Sequence, residues 1–224
     1  MTRPVDPISE ENTGAVVLDI CSSSKLLEDL KRTDNLKRWR DFLIAFKELL
    51  HARAGRGILR VYKFIGDGWI LLFDPLLSAD HVVKELRELC YCFNLVYDLR
   101  VKRFLEEYPD RVGLTFGLDS GSLIKVQMND VDEYLGRPLN VASRLCSTLK
   151  EIEPIPEFKL LMSAPYYASH IGSLRSFSPE EVRVSLRNIS GNSEIRAYKV
   201  TLLPKCPPSK GRSKKPLTST VRRQ

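Results

Sequence analysis

Two strand-like runs, residues 57–65 (GILRVYKFI) and 69–73 (WILLF), stand on either side of Gly66-Asp67-Gly68. Asp and Gly tolerate the backbone angles of a tight reversal, so this stretch reads as a β-hairpin and commits the chain to antiparallel pairing. Residues 14–20 (GAVVLDI) form a third strand candidate, short, apolar and rich in Val. Strand candidates also cover 111–118 (RVGLTFGL) and 122–128 (SLIKVQM), read as a second hairpin pair, and 158–162, 182–189 and 195–202.

Helical signals fall between them. Ser22, Ser23 and Ser24 offer N-cap chemistry after the first strand, and residues 36–53 place Trp39, Phe42, Leu43, Phe46, Leu49 and Leu50 at helical spacing. A long helix is expected over about 79–107 and another over 138–149, with Pro138 at its permissive first turn. This order suits an α+β fold, helices packed on a mostly antiparallel sheet in a single domain.

At 224 residues and 43% hydrophobic content the chain can bury one full core without disulfides or structural metal. Five cysteines, irregularly spaced and without a CxxC pair, read as reduced and mostly buried thiols. The net charge of +7 belongs to residues 204–224, which hold seven Lys or Arg and no acid, leaving 28 basic against 28 acidic residues elsewhere. That placement assigns the surplus to a basic, disordered tail, and no stable nucleic-acid complex is expected. Residues 1–13 read as a polar leader, residues 14–203 as the folded domain. No stretch has the roughly 20 apolar residues of a membrane span, so a cytoplasmic protein is expected.

Three islands carry chemistry. Asp19 ends a strand that is otherwise apolar, where a carboxylate costs free energy unless compensated. It reads either as a cap at the strand-to-helix junction or as a metal ligand, with the N–H groups of the following turn open to phosphate oxygens. Asp67 reads either as a plain turn residue or as a second carboxylate within reach of the first; two carboxylates without His or Cys suit hard ions. Asn140 and Arg144 share one helix face, which reads either as a solvated surface or as an amide and a guanidinium placed to orient a ribose and neutralise a phosphoryl group.

In this order and spacing, Asp19, the 63–68 segment KFIGDG and the 133–144 segment EYLGRPLNVASR resemble the catalytic domain of class III adenylate/guanylate cyclases over about residues 14–202, NVASR being the most specific match. The resemblance implies a ferredoxin-like cyclase palm. It implies that Asp19, Asp67 and the Ile20 carbonyl hold two Mn²⁺ or Mg²⁺ ions, that Lys63 and Glu133 read the base, and that Asn140 and Arg144 act on ribose and α-phosphate. It further implies a homodimer whose two sites each take the aspartates from one subunit and the base readers, Asn140 and Arg144 from the other.

The sequence also departs from that family. Ser22, Ser23 and Ser24 replace its usual Gly-Phe-Thr, so the turn that binds the nucleoside triphosphate differs in detail. Lys63 with Glu133 matches neither the adenylate nor the guanylate pairing, and hydrogen-bond logic leaves adenine, guanine and pyrimidines open. Tyr62, Phe64 and Tyr134 either pack or narrow the pocket toward a smaller base. In its single domain and non-standard base readers the chain is similar to the bacterial Pycsar antiphage cyclases, which make cyclic CMP or cyclic UMP. That similarity implies a pyrimidine cyclase with a downstream effector sensing the product; an ordinary adenylate or guanylate cyclase and a non-catalytic nucleotide-binding dimerisation module are the alternatives.

Overall fold

The spine of the structure is a pair of long strands, β1 (Ile8–Cys21) and β4 (Gly113–Met128), antiparallel from Ile8 opposite Val126 to Cys21 opposite Gly113. The computed structural model describes residues 8–189, 191 and 193–204. Two expectations change here. The strand begins at Ile8, inside the stretch read as a leader, and the expected 111–128 hairpin is one unbroken strand. Asp119, Ser120 and Gly121 look like a turn in sequence, yet Asp119 stays extended because Ser163 Oγ donates to its carboxylate inside the sheet.

The other side of β1 carries β3 (Gly68–Phe73), which pairs with β2 (Arg60–Phe64), so the Gly66-Asp67-Gly68 hairpin forms as expected. β4 is flanked on its first half by β6 (Lys159–Ser163), the one parallel pairing, and on its second half by the short β5 (Val131–Leu135). β8 (Ile195–Thr201) and β7 (Glu180–Val184) complete an eight-stranded sheet in the order β2-β3-β1-β4-β6-β8-β7, with β5 off β4. The mixed fold is thus α+β on a mostly antiparallel sheet.

Period-two alternation along β1 splits the core. Val16, Leu18 and Ile20 point to one face, where they pack with Leu26 and Leu30 of α1 (Ser23–Arg32), Phe42 and Phe46 of α2 (Leu36–Ala54) and Phe93 of α3 (Ala79–Arg100). The Phe93 ring meets Phe42 and Phe46 edge-on at 5.6 and 5.7 Å. Ala15 and Val17 point to the opposite face, against Ala142 and Cys146 of α4 (Arg137–Ile152). A short α5 (Ala164–Ser169) follows β6.

The helix expected over 79–107 stops at Arg100. The Glu106 and Glu107 N–H groups donate to the buried Asp29 carboxylate at 3.0 and 3.3 Å, which pulls the chain off the helical path after a 3₁₀ turn at Lys102–Phe104. No helix among the described residues is long and apolar enough to cross a membrane. The expected tail lies, beyond Pro204, outside the described residues, as do residues 1–7 of the expected leader.

Candidate active site

Alternation places Asp19 on the α4 face with Ala15 and Val17. Its backbone partner across β3 is Gly68, the residue after Asp67, so the ladder itself delivers the two carboxylates to one end of β1. Gly68 is required for that approach: a Cβ there would stand 2.2 Å from the Leu18 carbonyl oxygen. The negative charge of Asp67 is close enough to help raise the Asp19 pKa, although burial is the larger cause. Ser23 Oγ donates to Asp67 Oδ2 and ties the hairpin tip to the start of α1.

The serine turn differs from the expected cap. Ser22 sits at the N-cap position of α1 with φ 61°, in the left-handed region, and its side chain makes no cap bond. The Ser23 hydroxyl is spent on Asp67. Without a side-chain cap, the first-turn N–H groups of α1 stay available to an anionic oxygen.

Ile20, Cys21, Ser22, Ser23, Ser24, Asp67 and Pro156 line one cavity of about 430 Å³, together with three cations, Lys25, Arg111 and Lys150. Lys150 Nζ contacts Asp19 Oδ2. Burial pulls the Lys150 ammonium down, and the Asp19 carboxylate more than offsets this, leaving its pKa raised. The neighbouring sulfurs of Cys21 and Cys146 are both pushed up to about 12 by burial and stay thiols at neutral pH.

This donor chemistry fits a hard divalent cation. It offers carboxylate, carbonyl and hydroxyl oxygens with no thiolate or imidazole, the preference of Mg²⁺ and Mn²⁺. Among the described residues no group of three or more His, Cys, Asp or Glu side chains converges. The carboxylates at this end of β1 are thus Asp19 and Asp67, and any cation held there would need backbone, substrate or water oxygens to complete its shell.

Lys63 and Glu133 meet in a second cluster. The β4–β5 hairpin folds over the α4 face, and Lys63 Nζ donates to both Glu133 oxygens at 2.9 Å. Tyr62 Oη donates to Glu133 Oε2 at 2.5 Å and accepts from the Tyr134 N–H at 2.9 Å, and the Tyr62 and Tyr134 rings sit edge-to-face at 5.1 Å. Arg60 donates to Tyr134 Oη at 2.9 Å. The Lys63 and Tyr62 bonds hold the Glu133 carboxyl below its usual range, and Glu133 in turn raises Lys63, so the pair is ionic at neutral pH.

Asn140 and Arg144 lie exposed on α4 and make no side-chain hydrogen bond among the described residues. The helix itself is clamped to the sheet: a Cβ on Gly117 would stand 2.0 Å from the Ala142 carbonyl oxygen. Ten residues of helix separate Asn140 from Lys150, about 15 Å of rise, and Arg144 precedes Lys150 by about 9 Å. Within one chain, then, the structure brings Asp19 to Asp67 and Lys63 to Glu133, and leaves Asn140 and Arg144 apart from the carboxylates.

Lys150 is the site residue that sequence reasoning missed. A lysine in the last turn of a helix is ordinarily accounted for by the helix dipole. The usable signal was its position four residues after Cys146, which packs at 3.6 Å on Thr115, the strand partner of Asp19.

Neither protein-family models nor curated proteins give a match to this chain. Solved structures do. The adenylyl cyclase CyaB from P. aeruginosa is similar over 87% of this chain and 95% of its own, at TM-score 0.64 and 15% identity. An adenylate cyclase from Trypanosoma brucei in its monomeric state is similar over 89% and 90%, at TM-score 0.62 and 17% identity. The guanylate cyclase domain of RhGC from Catenaria anguillulae, in complex with GTP, is similar over 86% and 98%, at TM-score 0.55 and 19% identity. At such identities the likeness establishes the fold.

Proposed function

From the fold of adenylyl and guanylyl cyclase catalytic domains as premise, we propose that this chain is a nucleotidyl cyclase, converting a nucleoside triphosphate to its 3′,5′-cyclic monophosphate and pyrophosphate. The observation that supports the reading is the ladder pairing of Asp19 with Gly68, which brings Asp19 and Asp67 to one end of β1, near enough for the Asp67 charge to act on Asp19, beside the serine turn that opens α1. Lys150 and Ser23 already satisfy these carboxylates within the chain, and two hard oxygen donors at this end of β1 also match a triphosphate-bound divalent cation.

Asp19, Asp67 and the Ile20 carbonyl would hold two Mg²⁺ or Mn²⁺ ions, whose chemistry is to acidify the ribose 3′-hydroxyl and to neutralise the triphosphate. Ser22, Ser23 through its backbone N–H, and the other first-turn N–H groups of α1 receive phosphate oxygens. Lys63 donates to the base and Glu133 accepts from it. Asn140 orients the ribose, and Arg144 stabilises negative charge on the α-phosphoryl oxygens as the 3′-oxygen bonds to phosphorus and pyrophosphate leaves. The 9 to 15 Å of helix between Lys150 and the pair Arg144 and Asn140 support a homodimer, in which a twofold copy presents its α4 face to the carboxylates.

A pyrimidine is the favoured base. What supports it is that Lys63 and Glu133, paired in the structure, match neither purine-cyclase pairing, with Tyr62 and Tyr134 packed edge-to-face beside them. A cyclic pyrimidine nucleotide serves as a signal in bacterial antiphage defence, and a downstream effector sensing it is the implied partner.

The test is a panel of ATP, GTP, CTP and UTP with purified protein and Mn²⁺ or Mg²⁺, read by mass spectrometry. Cyclic CMP or cyclic UMP supports the full reading; cyclic AMP or cyclic GMP keeps the cyclase and removes the pyrimidine. No cyclic product from any of the four overturns the enzyme, and tight nucleotide binding without turnover assigns a dimerisation module instead.

A further inference from the structure

We propose that Lys150 is a built-in counter-ion that occupies Asp19 before a divalent cation binds and then moves to the phosphate chain of the nucleotide in the same cavity. The proposal rests on the metal-and-triphosphate reading above and assigns a residue which that reading does not use.

Four observations carry it. Lys150 Nζ bonds Asp19 Oδ2, an oxygen of the carboxylate to which the proposed function assigns a cation. A monovalent ammonium and a divalent ion cannot both sit on that oxygen without strong like-charge repulsion, so the arrival of one displaces the other. Lys150 also lines the cavity that holds Asp67, Ser22 and Ser23, with Lys25 and Arg111 as the other cations of its wall. Three cations against the two carboxylates leave the cavity attractive to a polyanion once divalent ions have satisfied the acids.

The geometry of α4 makes the exchange a side-chain event. Cys146, one turn earlier on the same face, is buried against Thr115 and fixes the helix. The Lys150 side chain is 38% exposed, and its four-carbon stem swings the ammonium without moving backbone. Lys150 faces about 120° around the helix from Arg144, so it serves the carboxylates of its own chain while Arg144 faces away. One device then links the two ligands: the cation frees the ammonium, and the freed ammonium favours the triphosphate.

The experiment compares the full chain as wild type, Lys150→Met and Lys150→Arg, with folding checked by circular dichroism. Mn²⁺ binding without nucleotide is measured by electron paramagnetic resonance of free Mn²⁺. Removing the competing ammonium should tighten Mn²⁺ binding in Lys150→Met about tenfold. Inorganic triphosphate binding in the presence of Mg²⁺ is measured by calorimetry. It should weaken about tenfold in Lys150→Met and recover to within about threefold in Lys150→Arg, which restores the charge. Unchanged or weaker Mn²⁺ binding in Lys150→Met overturns the counter-ion role, and unchanged triphosphate binding overturns the phosphate role. Neither readout needs turnover, so a wild type that makes no cyclic product would sink the cyclase reading and leave this comparison decisive. Should Lys150→Met fail to fold, Lys150→Gln replaces it and is judged by the same two shifts.

Discussion

Lys63 Nζ bonds both carboxylate oxygens of Glu133 at 2.9 Å, joining residues 70 positions apart through the folding of the β4–β5 hairpin over the sheet. The contact is within one chain, so the two residues proposed to read the base form one unit rather than meeting across an interface. Tyr62 fixes Glu133 Oε2 from the side, which orients the carboxylate and limits which lone pairs a base can use. Glu133→Gln keeps the shape but removes the charge and half of the acceptor capacity. It is expected to lower kcat/KM for the preferred triphosphate by about 10- to 100-fold and to flatten selectivity across the four nucleotides. Steady-state kinetics on all four checks this, and an unchanged selectivity profile would remove Glu133 from base recognition.

Asp67 sits at a hairpin tip, with its one side-chain hydrogen bond from Ser23. Nothing in the core depends on it. Asp67→Ala should therefore cost no more than about 1 kcal/mol of stability, yet reduce metal-dependent turnover by roughly 10³-fold. Urea denaturation alongside a Mn²⁺ activity assay separates the two. A loss of fold to match the loss of turnover would make the residue structural.

Where the sequence was informative, one-dimensional pattern and three-dimensional role coincide. The short apolar run of residues 14–20 located the core of β1, and the spacing of Asn140 and Arg144 put both on one face of α4, which the structure leaves exposed. The misses have a common physical cause, long-range pairing that local pattern does not encode. Residues 9–13 are polar and mostly exposed, and they are strand because β4 supplies the partner backbone. Asp119 reads as a turn residue until Ser163, 44 positions away, satisfies its carboxylate. Lys150 is an unremarkable surface lysine until α4 docks on β1. The sequence singled out Asp19, Asp67, Lys63, Glu133, Asn140 and Arg144, and the structure joins Lys63 to Glu133; it did not single out the cation that answers Asp19.

Gly117 is where that docking is tightest. A methyl group there would fall 2.0 Å from the Ala142 carbonyl oxygen and 2.4 Å from the Cys146 nitrogen, both backbone atoms that no rotamer change can clear. Gly117→Ala is expected to destabilise the fold by about 3 kcal/mol or more. It should also displace α4 enough to impair turnover under conditions where the variant remains folded. Equilibrium denaturation measures the first effect, and a wild-type midpoint would show that α4 is free to shift.

Asp80, outside the site, is a predicted contributor to acid stability. The Lys84 ammonium at 2.6 Å, with the Ser176 N–H, holds the Asp80 carboxyl down to about 2 in the first turn of α3. A depressed carboxylate contributes stability fully above its unfolded pKa, and that contribution fades as pH falls toward the folded value. Asp80→Asn should thus be less stable than wild type by about 1 kcal/mol at pH 7. The gap should close between pH 4 and pH 2, followed by thermal melts across that range. A gap that stays constant to pH 2 would mean the loss comes from something other than the charge.

The division of labour between subunits gives the most demanding prediction. If Asp67 of one copy works with Arg144 of the other, the homodimers of Asp67→Ala and of Arg144→Ala each carry a lesion in both sites and both should be inactive. A heterodimer of the two gathers both lesions into one site and leaves the other intact. Random exchange in a 1:1 mixture makes half of the dimers heterodimers, each with one working site of two, so about a quarter of wild-type activity should return. The exposed position of Arg144 and its distance along α4 from the Asp19 contact are the observations behind this prediction. Mixing after mild denaturation and refolding supplies the exchange. An inactive mixture whose exchange is verified by mass difference would place the whole site within a single chain.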